Sequence, residues 1–223
     1  MESKRIAAER AVEYVKDGMI VGLGTGSTAY WAIQKIGQRV KEGLNIHAIA
    51  TSAASEELAQ ECGIPLLSFA DIDTIDVTID GADEVDSHWN LTKGGGGALL
   101  REKIVASASK ELIIIVDESK IVEQLGAFPL PVEIIPFGYE MTIKKLQKLG
   151  AEPVLRKTGD HVYKTDNGNY IADCRFGQIA NPNELNQALN LITGVVDNGL
   201  FVEMATHVIV GYMDGSVREL SLS

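Results

Sequence analysis

The sequence predicts an α/β fold, a mostly parallel open sheet covered by helices, with a smaller α+β unit inserted late in the chain. Three observations point there. Short apolar runs alternate with helical periodicity from the start of the chain to Asp117, and that alternation is the mark of a parallel sheet covered on both faces. After FPLPVEIIP (128–136) the texture changes to two helical patterns among short strand-like pieces. The tail HVIVGYMDGSVREL (207–220) then reads as a hairpin, with Asp214-Gly215 at its turn. Its return to the first sheet makes the larger domain discontinuous: residues 1–128 plus 201–223, with 129–200 as the small domain.

The elements follow in order. Ala7, Ala8, Ala11, Val12 and Val15 recur at helical spacing, and MIVGLG (19–24) reads as a buried strand. A helix runs from about Ser27 to Lys41, with Ala29, Ile33, Ile36 and Val40 lining one face. A strand at 46–50, a helix over 55–62 and a short strand near 65–67 lead to IDVTID (75–80). If Val77 and Ile79 face one way, then Asp76, Thr78 and Asp80 face the other. Leu99 to Ser107 is helical in pattern, and ELIIIVD (111–117) is a continuous apolar strand. Beyond it, a helix at 139–149 ends at Gly150, a turn falls at Asp166 to Gly168, and a helix lies near 183–191.

Bulk numbers narrow the function. With 45% hydrophobic and 23% charged residues the chain has an ordinary globular composition. A formal net charge of −11 argues against nucleic acid and anionic membrane as partners, which want clustered Lys and Arg. A small anion needs only a local patch of donors and stays open. Cys62 and Cys174 read as buried thiols of a reducing compartment. The N-terminus is a charged amphipathic pattern rather than a signal peptide, and no apolar run approaches the roughly 18 residues of a membrane span. The expectation is a cytoplasmic protein.

Three stretches carry chemistry. GLGTGSTA (22–29) joins a strand to a helix. It fits G-x-G-x-x-A, but the second strand ends Ala50-Thr51-Ser52 without the acid that a dinucleotide ribose needs, and no Walker lysine follows. What remains is a tight turn in which Gly24 and Gly26 bend the chain and Ser27 and Thr28 cap the helix, leaving amides for an anion. DGADEVD (80–86) places Asp80 at the carboxyl end of a strand, where ligands of open α/β sheets bind. A calcium loop on the same residues lacks its bidentate glutamate, and a solvated acidic turn is the plain alternative. TKGGGGALLREK (92–103) strips side chains from the backbone just before a helix. Lys93 supplies a cation at its mouth, and Glu102 lies in the second turn of the helix. His47, His88, His161 and His207 fall in no metal-ligand spacing.

GTGST, DGADEVD, KGGGGALLREK, DESK and FPLPVEIIP, in this order and at these separations, closely resemble ribose-5-phosphate isomerase of type A. The resemblance runs through TDNGN (165–169) and ITGVVDNGLF (192–201). It implies interconversion of ribose 5-phosphate and ribulose 5-phosphate in the non-oxidative pentose phosphate pathway, without metal or organic cofactor, by a homodimer. It also implies three substrate loops: Thr25, Gly26, Ser27 and Thr28; Asp80, Gly81, Ala82 and Asp83; and Lys93, Gly94, Gly95 and Gly96. Glu102 matches the proton acceptor and Lys120 a further substrate-binding lysine. The family often has alanine in place of Gly97, an exchange expected to be neutral.

That chemistry suits the residues. An aldose-ketose isomerase opens the ring, removes a proton beside a carbonyl and returns it to the next carbon through an enediolate. Glu102 is the candidate shuttle. Lys93 and the glycine-run amides are candidates to hold the oxyanion. Asp80 or Asp83 would handle the hydroxyl proton of ring opening, Asp80 being preferred. Rival readings are a sugar-phosphate deaminase or CoA transferase on the same architecture, which would need different loop residues, and a non-catalytic sugar-phosphate sensor, which would have no need of Glu102.

Overall fold

A computed structural model describes residues 1–220 of the 223-residue chain. It divides into two compact units, one of residues 1–82, 101–121 and from Met204 onward, the other of 83–100 and 122–203.

The first unit is built on a six-stranded sheet ordered 217–220, 207–211, 109–117, 75–80, 20–23, 47–50. Five of these strands run parallel, and only the edge strand Val217–Leu220 is antiparallel. The C-terminal hairpin does return to this sheet, pairing His207–Gly211 with Ser109–Asp117. Helices Glu2–Val12, Ser27–Lys41 and Ala53–Glu61 give Ala7, Ala11, Ile33, Ile36 and Ala59 to one core with Val21, Val77, Ile79 and Ile113. Helix Leu99–Ser107 packs Val105 on Ile49 and Ile75. Gly22 allows this close approach: a Cβ there would fall 1.9 Å from Thr78 Oγ1 and 2.7 Å from Val105. The expected short strand near 65–67 is reduced to a single parallel bridge between Leu66 and Ala48.

The topology fixes where a ligand belongs. From Ile20–Leu23 the chain crosses to its neighbour His47–Ala50 on one side, then returns to Ile75–Asp80 on the other. The carboxyl ends of strands 20–23 and 75–80 therefore flank a switch point, the place where open α/β sheets leave a crevice.

The second unit is α+β. Its four-stranded antiparallel sheet is ordered 195–198, 130–134, 170–175, 152–155. Helices Tyr139–Lys148 and Pro182–Asn190 cover a core that includes Leu130, Val132, Leu146, Ala172 and Leu189. A small three-stranded sheet joins 84–85, 91–92 and 200–201. This unit takes in 83–100, 122–128 and 201–203 as well as the expected 129–200. The reason is Glu84, a buried carboxylate that accepts the Thr92 hydroxyl at 3.0 Å and the amides of Gly126 and Phe128 at 2.9 and 2.8 Å. Cys62 and Cys174 are both buried free thiols, and burial pushes the Cys174 thiol up to about 12.

Candidate active site

In the first unit the loop after strand 20–23 is tied to Asp80. This buried carboxylate accepts the Thr25 amide at 3.1 Å and its neighbour Gly81's amide at 2.7 Å, both through Oδ1. Gly24 leaves it room, since a Cβ there would lie 2.2 Å from that oxygen. Gly26 has a different reason to be glycine, its φ of +101°. The Thr25 hydroxyl meets those of Thr51, Ser52 and Ser55 at 2.7, 2.8 and 3.2 Å, and Ser55 Oγ donates to the Gly24 carbonyl at 2.6 Å. The loop is thus preorganised by a knot of hydroxyls from the turn after strand 47–50 and from helix Ala53–Glu61. Gly81 sits beside Thr28, where an added Cβ would lie 3.9 Å from the threonine Cβ.

Helix Ser27–Lys41 begins at Ser27, with Gly26 in the capping position and no side-chain cap. The expected cap by Ser27 and Thr28 is therefore absent; instead Ser27 Oγ accepts Lys4 Nζ at 3.0 Å. Lys4 was not singled out from the sequence, where its helix shows only amphipathic spacing. It brings an ammonium group to an exposed helix N-terminus whose amides already favour an anion. Lys4 also lies 3.9 Å from Asp117. Burial would raise the Asp117 carboxyl, but the Ser119 hydroxyl and amide, with Lys4 and Lys120, outweigh it and hold the group low. Asp117 caps the single turn Glu118–Lys120, which fixes the half-buried Lys120. A cleft of about 610 Å³ opens here, lined by Lys4, Thr25, Gly26, Ser27, Tyr30 and Trp31 among others.

Glu102 is the fourth residue of helix Leu99–Ser107 and so lies in its first turn, not the second. It is three and four residues before Val105 and Ala106, so it shares their face. All three are buried, Glu102 being 4% exposed, whereas Arg101 and Lys103 are half-buried. An acid on the buried face of an apolar helix carries a desolvation cost that a surface ion pair avoids.

The second unit holds Ala82's neighbour Asp83, with Lys93 and the glycine run. Asp83 Oδ2 accepts the Gly95 amide at 2.7 Å, and a Cβ on Gly95 would come within 2.5 Å of Asp83 Oδ1. The run closes a turn, Gly97 N–H donating to the Gly94 carbonyl at 2.9 Å. Gly94 and Gly97 have φ of +98° and +83°, while Gly95 and Gly96 are exposed. The fourth glycine is not interchangeable with alanine here: besides its φ, a Cβ on Gly97 would sit 2.1 Å from Tyr163 Oη. Lys93 is buried rather than at a mouth, 3% exposed, with its amide on the Gly199 carbonyl at 2.8 Å and Nζ 5.4 Å from the Phe201 ring centre. Among the described residues no group of three or more His, Cys, Asp or Glu side chains gathers as a metal ion would require.

A parallel sheet carrying a hydroxyl-lined glycine loop and a buried acid at its switch point defines an α/β enzyme of small polar substrates. Comparison with known proteins narrows this class. Residues 47–215 match the family model of ribose 5-phosphate isomerase A (phosphoriboisomerase A). Ribose-5-phosphate isomerase A of Bacillus thuringiensis subsp. konkukian is 59% identical over 221 residues, covering 99% of this chain and all of that relative. The solved ribose 5-phosphate isomerase A of Methanocaldococcus jannaschii superposes with a TM-score of 0.93 at 43% identity, over 98% of this chain and 97% of that one. A D-ribose-5-phosphate isomerase solved in complex with phospho-erythronic acid superposes at 0.94 with 41% identity and the same coverage. This chain belongs to the ribose 5-phosphate isomerase A family.

Proposed function

We propose that the chain interconverts ribose 5-phosphate and ribulose 5-phosphate by a proton shuttle through an enediolate, with Glu102 as the shuttle. Opening of the furanose exposes the C1 aldehyde. Glu102 takes the proton from C2 and the electron pair moves onto O1; the O2 hydroxyl proton then passes to O1, and as the O2 electrons close the ketone the same carboxyl returns a proton to C1. The observation that carries this reading is the burial of the Glu102 carboxylate on the sheet face of its helix. A water-poor carboxylate that can trade a proton is what such a step requires. The relative solved with phospho-erythronic acid supports it: a phosphorylated sugar acid presents a planar anionic carboxylate, the shape and charge of an enediolate.

The remaining roles follow the chemistry of each group. Lys93 and the amides of Gly94 and Gly96 hold the charge that develops on the enediolate oxygen, with Gly95 between them keeping its own amide on Asp83. Asp80, its orientation fixed by two amides, handles the hydroxyl proton during ring opening, with Asp83 the alternative. The loop of Thr25, Gly26, Ser27 and Thr28 takes the phosphate together with Lys4, and Gly81, Ala82 and Lys120 line the sugar. The reaction belongs to the non-oxidative pentose phosphate pathway. We further infer a homodimer, supported by exposed Phe137, Met141 and Leu191 on the second unit, and a cytoplasmic location, supported by the two buried free thiols.

The test is proton NMR of ribose 5-phosphate with the enzyme in deuterium oxide. The expected result is ribulose 5-phosphate carrying solvent deuterium at C1. Absence of the ketose would defeat the reaction; ketose formed by Glu102→Gln as fast as by wild type would defeat the shuttle.

A further inference from the structure

We propose that Arg156 is a positioning residue for the reaction, its guanidinium aiming the amides of the glycine run at the substrate. This rests on the reading above that the run serves the substrate. Arg156 lies far along the chain from the run, yet its Nη1 donates to the carbonyls of Gly94 and Gly95 at 3.0 and 3.1 Å. In a trans peptide the C=O and N–H groups point in opposite directions. Pinning the Gly94 carbonyl therefore sets the Gly95 N–H, which donates to Asp83 on the other side. Pinning the Gly95 carbonyl likewise turns the Gly96 N–H away from the guanidinium, in a segment whose Gly95 and Gly96 are exposed. Glycine has the freest backbone of any residue, so four in a row keep a useful orientation only if something outside the run imposes it.

The guanidinium is itself held on every side. Asp173 takes Nε at 2.9 Å and Nη2 at 2.5 Å in a fork, with the pair largely buried. The Tyr163 ring lies 5.8 Å below the guanidinium carbon. The Arg156 amide donates to the Ile171 carbonyl, and its carbonyl accepts the Tyr163 amide. The adjoining turn is anchored by buried Glu133, whose Oε1 accepts the Thr165 hydroxyl at 3.0 Å and Asn169 Nδ2 at 2.9 Å. A lysine could not replace this, since one ammonium cannot both fork to a carboxylate and bridge two carbonyls in a plane.

The experiment compares Arg156→Ala, Arg156→Lys and Asp173→Asn with the wild-type enzyme in steady-state turnover of ribose 5-phosphate, with and without millimolar guanidinium. Misaimed donors cost turnover, so kcat of Arg156→Ala should fall about 10²-fold while KM changes less than about threefold. Guanidinium ion should restore kcat saturably in Arg156→Ala and not in wild type, a response that a merely structural role would not give. Arg156→Lys and Asp173→Asn should lose kcat in the same sense, and they carry the test if the alanine variant does not fold. Unchanged kcat in the folded variants, a loss confined to KM, or a loss that guanidinium does not relieve overturns the proposal. Lys93→Ala separates the two readings. If it is crippled while the Arg156 variants are fully active, only the positioning role fails; if it too is fully active, the reading of the run fails.

Discussion

One oxygen of Asp80 accepts the amides of both Thr25, at 3.1 Å, and Gly81, at 2.7 Å, so a single buried carboxylate joins the loops that follow two neighbouring parallel strands. The space for this comes from Gly24. Gly24→Ala would drive a Cβ to 2.2 Å from the carboxylate and 2.6 Å from the Asp80 Cα, and backbone cannot yield cheaply. We expect a stability loss of about 1–3 kcal/mol by urea denaturation, with kcat/KM falling at least about tenfold as the joined loops separate.

Lys4 should act on binding rather than chemistry. Its ammonium stands on Ser27 at the head of a long helix, while Asp117 beside it is held ionised throughout the neutral range. Lys4→Ala should raise KM for ribose 5-phosphate about tenfold, the worth of one charge-assisted hydrogen bond, with kcat little changed. Titrating salt should weaken wild-type binding more steeply than that of the variant. A variant with normal KM and depressed kcat would move Lys4 from the phosphate to the reaction centre.

Lys93→Ala should show the opposite pattern. Its ammonium is buried beside Phe201, where removal from water strengthens its pull on a charge that develops nearby. Turnover should fall on the order of 10²-fold with binding of substrate nearly intact. Equilibrium binding together with single-turnover rates would separate the two; a purely binding defect would contradict the oxyanion role.

Acid and alkali should each loosen the hold on the turn after the first helix. Tyr14, in the turn that follows helix Glu2–Val12, donates to Glu219 at 2.5 Å and ties that turn to the C-terminal hairpin. The hydrogen bond to Glu219, then burial, raises Tyr14 from its ordinary 10 to about 12. The Tyr14 hydroxyl, and then His207, hold Glu219 below its ordinary range. A depressed acid gives stability that is present above its unfolded value and lost as pH falls through the folded one. A raised phenol gives stability that is complete below about 10 and lost as pH climbs through about 12. Tyr14→Phe should therefore cost about 1 kcal/mol at neutral pH, after allowance for solvent exposure. In urea melts that difference should shrink at both extremes. A difference unchanged in acid would mean the carboxylate is not the partner.

Where hydrophobic periodicity is strong, the sequence reading and the structure coincide: Ser27–Lys41, Ile75–Asp80 and Leu99–Ser107 keep the same bounds. The three glycine- and acid-rich loops were legible for a different reason, since such runs between regular elements need a backbone explanation. What stayed hidden was every interaction made across long chain separations. Glu84 reads as one more acid in DGADEVD, because two-residue strands have no period and its partners, Gly126 and Phe128, lie about forty residues on. Arg156 and Lys4 gave no local signal either. Ser27 looked like a cap because its type suits one; its hydroxyl is instead engaged by Lys4.

The most direct test of the account is Glu102→Gln, an isosteric change that removes proton exchange while leaving the buried helix face filled. Measured by single turnover in deuterium oxide beside equilibrium binding of ribose 5-phosphate, the variant should bind as wild type does. It should interconvert the sugars at least ~10²-fold more slowly, with label entering C1 no faster than ketose forms. Wild-type turnover and labelling by the glutamine enzyme would show that another group carries the proton.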